Sequence, residues 1–324
     1  RARALARERR LDVVFASSSP YAMLVHGVAA KRATGLPLVL DLRDPWSLNF
    51  LQAHRAPRVR RAEQRLERRC FEAADALVFT SERTTEAYSN IYPELAGRMH
   101  TVTNAFDGSV LTPTPRDSSA PLRLLHFGNC YGPRSLDTML RAMARLRDDG
   151  SGPNQVPVSL HNLGRVSQRD VDLARQLGLA DAFTFEPAVP YEDGLRRLSE
   201  ADLQVLLGYG DASLFIPAKL FDYMRAGSPV LCLAPDSDVA DIVRERALGR
   251  VREPLDVAGV CDTLRAAISE RRALRSATAP DLDPFSAVAT AGQLARIFDE
   301  VTRRGGADGV STPSRSSSSR GSTW

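Results

Sequence analysis

The stretch IPAKLFDYMRAGSPVL (216–231) decides how the chain is read. Pro217 suits the first turn of a helix and Gly227 the position just past a helix end, so the middle of the stretch is a short helix. SPVLCLA (228–234) then reads as an apolar strand. Lys219 therefore stands at the positive, N-terminal end of a helix. Asp222 lies one turn on, on the same face, with Tyr223 at i, i+4. A cation at that end suits a diphosphate, and a carboxylate one turn deeper suits the two hydroxyls of a ribose. The competing reading is a surface Lys–Asp pair. Against it stands the rarity of lysine: of 43 basic residues only Lys31 and Lys219 are lysine.

Outward from this stretch the same alternation repeats in both directions. LRLLHFG (122–128), PVSLHNLG (157–164), AFTFEP (182–187) and DLQVLLGY (202–209) are strands separated by helix-length segments. Upstream, LDVVFA (11–16), LPLVLDL (36–42), DALVFTS (75–81) and RMHTVTN (98–104) form a second series, with a long charged helix over 55–74. Near-continuous apolar strands joined by helices mark parallel sheets covered on both faces. TPTPRDSSAP (112–121) has the composition of an exposed linker. The expected architecture is α/β, two Rossmann-like β/α/β domains facing across a cleft. Residues 1–111 form the first, incomplete domain, and 112–121 the linker. Residues 122–284 form the second, nucleotide-binding domain, 285–304 a closing helix and 305–324 a disordered tail.

The chain has 324 residues, 43% hydrophobic and 25% charged, which excludes a wholly disordered or fibrous protein. No apolar run reaches the roughly 18 residues of a membrane span. Cys70, Cys130, Cys232 and Cys261 are too far apart for a CxxC site, and a cytoplasmic protein with reduced thiols is expected. The net charge of +4 accompanies no nucleic-acid motif. The opening RARALARERR begins at Arg1 rather than Met, so the piece is read as truncated at its N-terminus.

Ligands of open α/β sheets bind beyond the carboxyl ends of the strands, which selects three loops. In FGNCYGPRS (127–135), Gly128 and Asn129 follow a strand and Arg134 precedes a helix, an arrangement that attracts phosphate; a plain β/α turn with a surface arginine is the alternative. The second loop leads into Lys219. The third, DLRDPWS (41–47), crowds Arg43, Asp44 and Trp46 at a strand end in the other domain; an Arg–Asp pair capping the next helix over a packed Trp46 is the alternative. Asp236-Ser237-Asp238 matches a DxD metal motif, but its place before a helix favours an N-cap role. The histidines show no zinc spacing, and no metal is expected. The arginines of helix 57–70 make a solvated face or a contact with anionic lipid at the inner face of a membrane.

Taken in order, LPLVLDLRDPW, ADALVFTSE, TVTNAFD, FGNCYGPRSLDTMLRAMARL, FTFEPAVPYEDGLRRLSEADLQVLL and IPAKLFDYMRAGSPVL resemble the retaining group 1, family 4-like glycosyltransferases of the GT-B fold. The resemblance runs from about Leu11 to Arg304. It implies transfer of a sugar from a nucleoside diphosphate, UDP by default, to a hydroxyl acceptor with retention and without a metal or other cofactor. The acceptor would be a glycan, a lipid-linked glycan or a natural product. It further implies that Asp222 holds the ribose in place of the usual glutamate, and that Lys219 and Arg134, with Gly128 and Asn129, hold the diphosphate. Arg43 and Asp44 would line the reaction centre, with Trp46 and Asn104 at the acceptor or interdomain face. Three departures stand out. Leu214 replaces a sugar-contacting glutamate, Ala105 replaces the glycine of N-G-F-D, and about four first-domain strands stand where six are usual. A non-catalytic protein of the same fold and a nucleotide-sugar epimerase are the rival readings. The oligomeric state stays open.

Overall fold

The computed structural model describes residues 2–50, 54–113, 120–130, 134–150, 157–208, 214–270 and 281–307. Most of the linker expected over 112–121, the first part of the loop before Leu214, and the tail beyond 307 lie outside the described residues.

The first domain holds helix α1 (Ala2–Arg9), β1 (Val14–Ser18), α2 (Ala22–Thr34), β2 (Leu38–Leu42), α3 (Pro57–Ala73), β3 (Ala76–Phe79), α4 (Glu82–Ile91) and β4 (Met99–Thr101). The four strands are parallel, in the order β1-β2-β3-β4. Period-two alternation divides the side chains between the sheet's two faces. Leu38, Leu40, Leu42, Leu77 and Phe79 meet Leu24, Phe71 and Tyr88 of the covering helices. Val39, Ala76, Val78 and Val102 face the other way.

The second domain holds β5 (Leu122–Phe127), α5 (Asp137–Gly150), β6 (Val158–Leu163), α6 (Gln168–Gln176), β7 (Phe183–Glu186), α7 (Tyr191–Ser199), β8 (Leu203–Leu207), α8 (Lys219–Ala226), β9 (Val230–Leu233), α9 (Asp238–Glu245), β10 (Gly249–Arg252) and α10 (Val257–Ser269). The alternation thus continues past SPVLCLA by one more strand and two helices. The six parallel strands run β10-β9-β8-β5-β6-β7. The order reverses between β5 and β8, and the loops leaving those two strands are the ones that lead to Arg134 and Lys219. Such a reversal opens a crevice at the carboxyl ends of the strands, where ligands bind in this class of sheet.

The chain then turns back. Phe106 donates its N–H to the Phe285 carbonyl at 3.0 Å and accepts from the Ala287 N–H at 2.8 Å. Helix α11 (Ala287–Ala307) starts there, two residues later than expected from sequence and extending three beyond. It lays Ile297 and Val301 on Val39, Ala76, Val78 and Val102, covering the free face of the first sheet. The closing helix therefore belongs by its packing to the first domain.

The two sheets meet carboxyl end to carboxyl end. Thr84, on the first turn after β3, donates from Oγ1 to the Leu214 carbonyl at 2.9 Å. The Phe50 and Phe215 rings meet edge-on at 5.2 Å. Arg83 reaches Asp236 and Asp241, beyond the end of β9. Ser237, not an aspartate, is the N-cap of α9; its hydroxyl donates to Pro235 and makes no capping bond. The expected N-cap role of the aspartates is thus replaced by contacts to the first domain. No described helix is long and apolar enough to cross a membrane.

Candidate donor and acceptor sites

Lys219 is the first residue of α8, with Pro217 and Ala218 folded as a turn ahead of it. Gly227 ends the helix in the left-handed conformation, as its position in the sequence requires. The Lys219 side chain runs over Gly128, the first residue after β5. Gly128 has φ +149°, and a Cβ there would collide with the lysine Nζ. Only glycine lets the two loops of the crevice close on each other. Burial, with the charge of Arg134 added, pushes the Lys219 ammonium down to about 8. Arg134 is itself 6% exposed. Two cations thus share one sheltered corner at the end of β5 and the start of α8.

His126, one residue before Phe127, is completely buried, and desolvation together with the Lys219 charge pushes its imidazole down to about 3. The ring is therefore neutral and donates from Nδ1 to the Val205 carbonyl at 2.9 Å. It adds no third positive charge beneath the loop. Asp222 stands one turn into α8. Burial raises its carboxyl above the usual range, and Tyr191 donates a hydroxyl bond to it at 2.8 Å. Asn129 turns the other way: its Oδ1 accepts the Arg165 N–H at 2.9 Å and ties the β5 and β6 loop ends together. This bond takes up the carboxamide oxygen of an otherwise exposed side chain.

Across the cleft, Arg43 spans the ends of β2 and β4. Its guanidinium bonds Asp41 at 3.1 Å and the Asn104 carboxamide oxygen. Asp41, 5% exposed, also accepts from Ser17 Oγ at 2.6 Å. Asp44 is half-buried, and burial raises its carboxyl above the usual range despite the neighbouring Arg43 charge. Trp46 does not reach the interdomain face. It is 4% exposed and stacked on Tyr21 at 5.1 Å inside the first-domain core. Its indole is too large and apolar to leave the layer between sheet and helices once Tyr21 offers a parallel ring.

Residues 1–105 match the family model described as the glycosyl transferase 4-like domain. No curated protein matches the sequence. Among solved structures, sucrose-phosphate synthase from Thermosynechococcus elongatus is 17% identical over 93% of this chain and 76% of its own, with a TM-score of 0.69. The lipopolysaccharide outer core galactosyltransferase WaaB is 15% identical over 92% and 77%, with a TM-score of 0.63. HepE from Anabaena, solved in complex with UDP, is 16% identical over 92% and 81%, with a TM-score of 0.66. The chain shares the two-domain fold of these proteins, and its first domain matches the glycosyl transferase 4-like model.

Sequence reasoning missed one residue that shapes the first-domain loop. Glu67 sits on arginine-rich α3 yet is completely buried. Its two oxygens accept four bonds: from Ser47 N and Tyr88 Oη at 2.7 and 2.9 Å, and from Ser47 Oγ and Tyr92 Oη at 2.7 and 3.0 Å. Tyr88 Oη in turn accepts the Trp46 N–H at 2.8 Å. The signal was the i, i+3, i+4 spacing of Glu67 with Cys70 and Phe71, which puts all three on the buried face. On the opposite face Arg58, Arg61, Arg65 and Arg69 are exposed and make no ion pair among the described residues, whereas Arg68 pairs with Glu72 and Glu94. Beside the loop opens a cavity of about 140 Å³ lined by Ser47, Asn49, Phe50, Arg60, Glu63 and Gln64.

Proposed function

We propose that this protein is a glycosyltransferase, which moves a sugar from a nucleoside diphosphate, UDP by preference, to a hydroxyl acceptor with retention of configuration and without a metal ion. The observation that carries the reading is Lys219 lying over Gly128, with the charge of buried Arg134 near enough to lower its ammonium, at the reversal of strand order in the second sheet. Two cations forced together in a sheltered corner repel each other, and a diphosphate relieves that repulsion. As the bond from the anomeric carbon to the diphosphate oxygen breaks, negative charge gathers on the leaving phosphate. Fixed cations stabilise that charge more than the ground state, which is the part of their attraction that accelerates the reaction. Retention brings the acceptor hydroxyl in on the face the phosphate leaves. The departing phosphate oxygen is then the nearest base for the acceptor proton. Arg43 and Asp44 meet the transferring sugar or the acceptor from the first domain. The polar cavity with Phe50 at its wall suits a sugar-bearing acceptor. HepE, which shares this fold, was solved with UDP and with UDP-glucose, and this supports the choice of nucleotide.

Thermal unfolding with UDP, GDP, ADP and dTDP tests the reading. A ligand at 100 times its Kd adds about 2.7 kcal/mol of stability. UDP is expected to raise the Tm most, and to lose that effect in Lys219→Ala; no shift with any nucleotide would overturn the donor site. Asp222→Asn separates the two halves of that site. It should weaken UDP roughly tenfold, the loss of hydrogen bonds to a charged group, while inorganic pyrophosphate binds nearly as before. Equal weakening of both would contradict the ribose role.

A further inference from the structure

We propose that Arg83 is a positioning residue of this transferase, whose clasp on Asp236, Asp238 and Asp241 sets how far the two domains close. The proposal rests on the donor reading above only for its catalytic consequence. Arg83 stands on the first turn of α4, two residues past the N-cap Ser81, so the end of β3 aims it out of the first domain. Its guanidinium meets Asp236 as a fork, Nη1 to Oδ2 and Nη2 to Oδ1, both at 3.0 Å. Nη2 also reaches Asp241 Oδ2 at 2.6 Å, and the Arg83 backbone N–H points at Asp238 Oδ2 at 3.3 Å. All three carboxylates belong to the second domain, within six residues of chain. Three like charges so close repel one another, and the planar arginine fork offsets that repulsion better than a lysine point charge.

The clasp is built to be adjustable. Asp236 is 77% exposed and the Arg83 side chain 30%, so water and salt reach the contact. Pairs of this kind are weak one at a time and screened by salt. They shift an equilibrium between arrangements without deciding whether either domain folds. The neighbouring Thr84–Leu214 bond anchors the segment that leads into α8, so the clasp stands next to the path to Lys219. Opening it separates Arg43 and Asp44 from Lys219 and Arg134, while the nucleotide corner inside the second domain stays intact. The DxD-like motif is on this account an interdomain grip.

Distance measurement decides it. All four native cysteines are buried, so a fluorophore pair can be placed at Ile91→Cys in the first domain and Leu255→Cys in the second. The parent should give a short interdomain distance that lengthens in 1 M NaCl. Arg83→Ala should give the long distance at every salt concentration, with an unchanged Tm. Asp241→Asn, made from the other side, should move the distance the same way. The charge swap Arg83→Asp with Asp236→Arg should restore the short distance. In UDP-glucose hydrolysis Arg83→Ala should raise KM roughly tenfold, within the usual span of coupling between sites, while the Kd for UDP alone stays within about twofold. An unchanged distance in both single variants, or equal weakening of UDP and UDP-glucose, would overturn the clasp. A parent that binds no UDP would overturn the donor reading instead and leave the distance result standing.

Discussion

Glu67→Ala is expected to lower the stability of the fold by about 3–5 kcal/mol, the cost of removing one partner from a buried charged network. Four donors lose their acceptor at once, and the Ser47 backbone N–H cannot turn elsewhere. Each buried donor left bare costs about 1–3 kcal/mol. Glu67→Gln should be far milder. Its carbonyl can replace the oxygen that serves Ser47 N and Tyr88. Its NH2 can donate to Ser47 Oγ and Tyr92 Oη, because hydroxyls accept as well as donate. Urea unfolding of the three proteins measures the difference; equal stability of Glu67→Ala and the parent would refute the account. Burial raises the Glu67 carboxyl above its ordinary value of 4.5, outweighing its four hydrogen bonds. Between 4.5 and the raised value the folded state holds more protons than the unfolded one. The stability linked to this titration is therefore fully present below 4.5 and is lost as pH rises through the folded value, while the four hydrogen bonds to the ionised carboxylate remain. Glu67→Gln has no such slope, so the pH dependence of the difference between the two proteins isolates it.

Lys219→Ala should weaken UDP binding by about 1.5–3 kcal/mol, roughly 10- to 150-fold in Kd, the scale of a charge-assisted hydrogen bond. The same lysine makes two opposite pH trends. In the empty protein its ammonium titrates near 8, against 10.5 in an unfolded chain. Above pH 8 the cation is lost, so UDP affinity should fall. Between 8 and 10.5 the unfolded chain holds the extra proton, so the stability of the empty fold should rise across the same window. Lys219→Ala should lack both trends. Calorimetric titration and unfolding at pH 6.5 to 9.5 read them separately. A UDP affinity that is flat across that range in the parent would show that the lysine does not meet the phosphates.

The alternation of strands and helices was legible because parallel strands buried on both faces need apolar runs, and LPLVLDL, DALVFTS and SPVLCLA supply them. Gly227 and Pro217 marked α8 for local reasons that no distant contact overrides. What escaped notice was set by contacts far apart in the chain. Arg83 and Asp236 are 153 residues apart, and nothing in either segment names the other. Trp46 sits next to Arg43 and Asp44 in sequence, but Tyr21 draws it into the core. Asn129 follows Gly128 at the loop, and the Arg165 N–H takes its carboxamide oxygen. Glu67 was hidden in a run of arginines that was read only for its solvated or lipid-facing side. Local pattern thus located the crevice, and long-range pairing decided which of its residues face inward.

The return of α11 to the first sheet also sets an order of events on the ribosome. Val39, Ala76, Val78 and Val102 emerge about 200 residues before Ile297 and Val301, which cover them. The second domain can finish folding while the first still presents a bare apolar surface. That surface is a binding face for chaperones and a seed for aggregation until α11 arrives, so of these two domains the one translated first is completed second.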